Sequence, residues 1–313
     1  MKTNKSYVLY TRVVLFIVFL VILAGSVVRT THSGMGCPDW PKCFGRWIPP
    51  MNAGQLPKDY EKYLSKQDID HSFNAFHTWV EYINRLCTGI LGFAIIALIY
   101  WSFKKFYKTK PSIAWLSVFL MVIVIIESIL GAMVVYANLA VDTVTIHLFP
   151  IFILAGICVL MIHKAQGNYK IQDTSLQWIS TLALILVLVQ IFIGTQVRES
   201  VDIFSKQFEY KQREKWLVNV GNVLTTHEVF AWIAAVACLF LFWKSLNYPR
   251  LQKMGFLLLL LVVIEFAMGF TLVKLGFPQY AQPIHLVIGS GILITLFSYR
   301  LHFGKNKSSI RKF

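Results

Sequence analysis

The stretch AWLSVFLMVIVIIESILGAMVVY, Ala114 to Tyr136, contains one charged residue, Glu127, and no proline. An α-helix rises 1.5 Å per residue, so about 20 apolar residues cross the roughly 30 Å hydrocarbon core of a bilayer. An amphipathic helix on a soluble core would show a polar stripe, and this stretch shows none. It is read as a membrane span. Outward from it, comparable runs lie at roughly 10–28, 80–101, 143–162, 176–197, 222–243, 255–274 and 282–301, which with 114–136 makes eight.

Composition agrees. The chain of 313 residues is 56% hydrophobic, 15% aromatic and 14% charged, against about 25% charged for an ordinary soluble domain. The net charge of +15 is not a nucleic-acid surface, because of where the charges lie. Lys2, Lys5 and Arg12 precede or enter the first span. Lys104, Lys105, Lys108 and Lys110 follow the second, Lys164 and Lys170 the fourth, and Lys244, Arg250 and Lys253 the sixth. Arg300, Lys305, Lys307, Arg311 and Lys312 follow the eighth. The segments following the odd-numbered spans hold most of the Asp and Glu. This asymmetry follows the positive-inside rule and puts both termini in the cytoplasm. The first span is followed by Val27-Val28-Arg29 rather than a small-residue cleavage site, so it is read as a retained helix.

The chain also repeats. Glu127-Ser128-Ile129-Leu130-Gly131 leads to His147-Leu148, and Glu265-Phe266-Ala267-Met268-Gly269 leads to His285-Leu286, both as E-x-x-x-G followed after 15 residues by H-L. Gly25-Ser26-Val27-Val28-Arg29 closes the first span as Gly194-Thr195-Gln196-Val197-Arg198 closes the fifth. The fold class is therefore an all-α integral membrane protein, its eight transmembrane helices forming two parallel-repeat four-helix bundles. With four spans each, the copies are related by an axis along the membrane normal. The halves are set at 1–170 and 171–313. Two long outer loops, about 29–78 and 198–221, are expected; the first is turn-rich with a short amphipathic helix near Tyr60–Lys66, the second partly helical.

Topology sorts the eight histidines. His163 and His302 fall at cytoplasmic ends, and His32 and His71 in the first outer loop. His77 precedes span 2. His147, His227 and His285 sit just inside the outer ends of spans 4, 6 and 8. An ionisable residue inside a span is costly and usually functional. Two facing helices that each present an imidazole at one depth form a bis-histidine cradle for heme. A bare metal would ask for a third or fourth ligand, commonly Asp, Glu or Cys; Glu228, next to His227, points about 100° away on a helix. At span 2, Glu81 and Arg85 are four apart. They form either an ion pair at a wet helix end or a carboxylate and guanidinium lining a cofactor pocket, where Arg binds a heme propionate.

Over nearly its whole length the chain resembles the heme A synthase family, bacterial type, which converts heme O to heme A. The most specific stretch is Gly34-Met35-Gly36-Cys37-Pro38-Asp39-Trp40-Pro41-Lys42-Cys43-Phe44-Gly45-Arg46, similar to the family's G-x-G-C…W-P-x-C-x-G loop. Glu81-Tyr82-Ile83-Asn84-Arg85 resembles its E-x-x-H-R motif. The resemblance implies a resident heme b between His227 and His285. It implies a substrate half in which His147 ligates the iron of heme O and Glu81 is catalytic. It further implies a multi-pass protein of the bacterial plasma membrane with its heme sites toward the extracytoplasmic face. Heme O, heme O synthase and a membrane or soluble electron donor would be partners, with a homo-oligomer compatible and no nucleic acid.

The chain departs from the family pattern twice. Asn84 stands where the motif has histidine, and an amide is a poor iron ligand. Either His147 alone ligates the first site, or His77 substitutes, although His77 lies seven residues earlier, about 10 Å along a continuous helix. Residues 198–221 lack the second cysteine pair that some members carry. Cys37 and Cys43 are placed outside, where a disulfide is feasible; Cys87, Cys158 and Cys238 fall within spans as packing residues. Two other functions compete: a diheme b-type electron carrier, which needs two similar bis-histidine sites, and a heme transporter or chaperone, which needs access from both faces.

Overall fold

The computed structural model describes residues 4–64, 72–137, 139, 141–167 and 170–304. His71 and residues 65–66 of the expected loop helix lie outside them. Among the described residues eight helices are long and apolar enough to cross a membrane. In hydrocarbon every backbone N–H and C=O must be satisfied within the segment, and a helix does this alone.

The helices are α1 (Lys5–Thr30), a short α2 (Glu61–Leu64), α3 (Ala75–Phe106), α4 (Pro111–Tyr136), α5 (Val141–Gln166), α6 (Thr174–Gln207), α7 (Asn222–Ser245), α8 (Gln252–Lys274) and α9 (Ala281–Arg300). Local sequence sets the starts. Asn4, Asn74 and Asp173 cap α1, α3 and α6 by accepting from the N–H of Tyr7, His77 and Leu176. Pro111 opens α4, where its missing N–H is harmless. Among the described residues there is no strand, only the isolated bridges Cys43–Arg46 and Ile171–Phe303. Within each span's most apolar window only 17–44% of residues are buried inside the protein, which leaves apolar side chains such as Phe16, Phe93, Trp115 and Phe270 facing outward.

The chain forms two compact units, Asn4–Ala165 and, among the described residues, 166–304. In the first, α3 packs on both α1 and α4. The hydroxyls of Tyr7 and Ser102 meet at 2.8 Å, and Tyr10 donates to the Ala94 carbonyl at 3.0 Å. The Lys110 ammonium donates to the Lys164 carbonyl at 2.6 Å, joining the start of α4 to the end of α5. In the second unit α6, α7, α8 and α9 close a ring in which α6 also meets α9, so α7 and α9 face each other diagonally. Tyr299 donates to the Leu241 carbonyl at 3.3 Å across that diagonal.

The helices overrun the expected spans, most clearly in α6. It continues to Gln207, so the expected loop at 198–221 shrinks to 208–221. The extension is amphipathic. Arg198 and Asp202 pair at 2.7 Å one turn apart, while Val197, Val201 and Ser205 are buried. Val197 and Val201 pack with Trp216, Val220, Leu272, Phe277 and Ala281 into an apolar plug over that end of the bundle.

Candidate functional site

Each unit holds a histidine seated on the neighbouring helix by the same two residues. In the first, His147 of α5 has its Nδ1 2.7 Å from Oε2 of Glu127 on α4. A Cβ on Gly131, one turn further along α4, would lie 3.4 Å from the ring's Cε1. In the second, His285 of α9 has its Nδ1 3.2 Å from Oε1 of Glu265 on α8, and a Cβ on Gly269 would lie 3.7 Å from Cε1. Both contacts are close but not aligned as hydrogen bonds, which leaves both Nδ1 atoms, both oxygens of Glu127 and Oε2 of Glu265 buried without a hydrogen-bond partner.

Glycines also seat the opposing position. A Cβ on Gly194 of α6 would lie 3.1 Å from Cε1 of His227 on α7, and a Cβ on Gly25 of α1 would lie 3.8 Å from Oδ1 of Asn84 on α3. Asn84 thus occupies in the first unit the place of His227 in the second. His77 is two turns away, with its ring against Phe76. Asn84 Oδ1 is buried without a hydrogen-bond partner.

His227 and His285 face each other across the diagonal of the second bundle, ring centres 6.3 Å apart and planes at 70°. Two imidazoles that share one metal atom at about 2 Å from each nitrogen place their ring centres roughly 6 Å apart. The donor set, the spacing and the side-chain-free glycine surfaces beside the rings fit a metal held between two imidazoles with apolar helix walls, as heme requires. Glu228 is exposed, away from the rings. Sequence reading missed Gln190 of α6. Its amide nitrogen donates to the His227 carbonyl at 2.9 Å and lies 3.1 Å from Nδ1. A glutamine in the middle of a span, between apolar runs and one turn before Gly194, was the available signal.

The turn-rich loop after α1 is a built structure. Cys37 and Cys43 form a disulfide. Asp39 accepts from the N–H groups of Phe44 at 2.6 Å and Gly45 at 2.8 Å, which lets both residues adopt positive φ. The disulfide and the Phe44 ring are buried among Leu56, Tyr63, Phe73 and Tyr82. Arg85 and Glu81 of α3 fasten this loop to the helix. Arg85 Nη1 donates to the carbonyls of Asp39 at 2.7 Å and Lys42 at 2.9 Å, and Nη2 donates to the Cys37 carbonyl at 2.9 Å and to Glu81 Oε1. Glu81 Oε2 accepts the Cys37 N–H at 2.7 Å, and Thr78 donates to the Gly36 carbonyl at 2.9 Å.

The ion pair is therefore not at a wet helix end, since Glu81 is 4% exposed. Both terminal nitrogens of Arg85, expected to meet a propionate, are given to loop carbonyls and to Glu81. His163 lies in the last turn of α5 and His302 follows α9; His302 Nδ1 donates to the Ser298 carbonyl at 2.9 Å, and burial first, then Lys170 and Arg250, push its basicity down.

Residues 8–297 match the family model of the cytochrome oxidase assembly proteins, COX15-CtaA. The heme A synthase of Shewanella oneidensis is 24% identical over 328 aligned residues, covering 95% of this chain and 96% of that protein. The heme A synthase of Flavobacterium psychrophilum is 24% identical over 338, covering 96% and 99%. That of Exiguobacterium sibiricum is 30% identical over 130 residues, 41% of this chain and 36% of that protein.

Proposed function

The chain belongs to the cytochrome oxidase assembly protein family, COX15-CtaA, and from that premise we propose that it is a heme A synthase. It is a membrane oxidoreductase that oxidises a methyl group of heme O to the formyl group of heme A by successive hydroxylation. The observation that carries the reading is the unlikeness of the two histidine sites. The second unit presents His227 and His285 across one diagonal, whereas in the first the position that meets the glycine of the neighbouring helix carries Asn84 against Gly25, where the second carries His227 against Gly194. A carrier with two equivalent hemes would want two imidazoles in each.

In this reading His227 and His285 hold a resident heme b, which supplies one-electron transfer when bound. The first unit, taken as residues 1–170, receives heme O, with His147 as the ligand from the chain. Asn84 leaves the opposite face of the substrate open. Glu81 is the catalytic carboxylate, holding or passing a proton at Oε1 or Oε2. Arg85, whose terminal nitrogens are taken up by loop carbonyls and Glu81, acts by keeping Glu81 and the disulfide loop in register. The sites face the extracytoplasmic side of a bacterial plasma membrane, both termini lie in the cytoplasm, and the halves are parallel repeats. Support for this orientation comes from the lysines and arginines gathered between even and odd spans. A heme O synthase would deliver the substrate, and a membrane or soluble donor the electrons.

The test is pigment extraction from membranes of a host that makes heme O but no heme A, with and without this chain. Heme A or its alcohol precursor is expected with the chain; heme b alone would overturn the synthase reading in favour of a diheme carrier. Changing His227 or His285 to Leu removes the low-spin b-type spectrum, and its persistence in the double variant would refute the site.

A further inference from the structure

The two imidazoles facing across the second unit have unlike partners. Glu265 brings a carboxylate to within 3.2 Å of His285 Nδ1. Gln190 brings a neutral amide nitrogen to within 3.1 Å of His227 Nδ1 and 3.3 Å of its Nε2. Two features indicate that the carboxylate is placed there rather than merely tolerated. A glutamate in an apolar span is costly unless it has a role, and the same contact recurs between Glu127 and His147 at 2.7 Å. Room for it is also made on the histidine's own helix. A Cβ on Gly289, one turn after His285, would lie 2.9 Å from Glu265 Oε1, so any larger residue pushes the carboxylate aside.

We propose that Glu265 is a positioning residue for His285. It orients the ring with Nδ1 toward the carboxylate and Nε2 toward the metal, and it strengthens the ligand's electron donation. Because Gln190 offers His227 no charge, the two imidazoles would be unequal as ligands. The inference rests on the reading that His227 and His285 share a heme.

The physical cause is general. A metal-bound imidazole whose other nitrogen faces a carboxylate is more basic, and loss of such a partner typically changes metal affinity about 10–100-fold. A more basic ligand favours the ferric over the ferrous ion. Glu265 therefore holds the reduction potential of this heme down, and the neutral amide at His227 does not. Glu127 stands in the same relation to His147 in the substrate half.

The experiment is a redox titration of the low-spin heme absorbance in the purified full-length chain. In Glu265→Gln the midpoint is expected to rise by about 59 mV or more, a tenfold change in ferric-over-ferrous preference for one electron. Glu265→Asp, which keeps the charge, is expected to return most of that shift. Gly289→Ala displaces the carboxylate without removing it and raises the midpoint in the same direction. Gln190→Glu puts a charge beside His227 and lowers it. Wild-type midpoints in Glu265→Gln and Gly289→Ala would overturn the proposal. Should Glu265→Gln fail to hold heme, an unmoved midpoint in both Gly289→Ala and Gln190→Glu overturns it equally. A wild-type chain with no bis-imidazole low-spin spectrum refutes the heme assignment itself, an outcome distinct from an unmoved potential.

Discussion

A Cβ on Gly194 would lie 3.1 Å from Cε1 of His227, tighter than ordinary van der Waals contact. Gly194 is therefore the surface against which the ring rests. Its counterpart Gly25 has only Asn84 Oδ1 nearby, at 3.8 Å. Gly194→Ala is expected to fold, since alanine is the better helix former by about 1 kcal/mol, but to shift the His227 ring. The low-spin heme signal per protein should fall or its band positions move. Gly25→Ala should leave that signal unchanged. Equal spectra in the two variants would remove the seating role.

Glu81 is 4% exposed, and its two oxygens serve the Cys37 N–H and Arg85. Removing one member of a buried pair is destabilising by about 3–5 kcal/mol, far more than at an exposed pair. Glu81→Gln should therefore loosen the loop, seen as faster reduction of the disulfide by an added thiol, while the second-unit heme spectrum persists. If Glu81 also moves a proton, heme A production falls by about 10²–10⁴. Arg85→Lys separates the two roles, because it disturbs the same carbonyl clamp and keeps the carboxylate. Heme A output falling equally in both variants would reduce Glu81 to an anchor.

The disulfide loop also reports orientation. A membrane-impermeant maleimide should label Cys37 and Cys43 in intact cells after reduction and not before. Cys87 is half-buried and Cys158 and Cys238 are buried within helices, so a variant that keeps only these three serves as the background. Labelling of the loop pair solely after lysis would reverse the proposed topology.

Asp173 caps α6 through the Leu176 N–H and accepts from the Tyr248 hydroxyl at 2.7 Å. These bonds, the backbone one first, hold its carboxyl below the usual range. A depressed folded value means the stabilisation is present above the unfolded value of about 3.9 and is lost as pH falls through the folded one. Asp173→Ala should lower stability at neutral pH by about 0.5–2 kcal/mol, measured by thermal unfolding in detergent. The gap from wild type should narrow below about pH 3.9. A gap that stays constant into acid would mean the ionised carboxylate is not what caps the helix.

The membrane class and the eight helices were legible because hydrocarbon admits few solutions. An apolar stretch such as 114–136 must satisfy its backbone internally, and length and composition alone then decide the element. Spacing went further and marked Glu127 with His147 and Glu265 with His285, because both repeats carry the same interval. Helix ends were less legible. The tail of α6 reads as a charged loop until Val197, Val201 and Ser205 are found buried on one side of it.

The tertiary structure alone decided what the marked residues touch. That Asn84 takes the place that His227 has in the second unit is not legible along α3; it shows in its meeting Gly25, a residue of another helix. Gln190 has no partner in its own span and acquires one when α7 brings His227 alongside. Arg85, read locally, pairs with Glu81 one turn away or reaches for a propionate. In the fold it closes on carbonyls of Cys37, Asp39 and Lys42, backbone atoms identical in kind at every position of the chain. Side-chain chemistry and periodicity can be read along a sequence. Which backbone oxygen a guanidinium meets depends on how a distant loop folds back, and no local pattern records that.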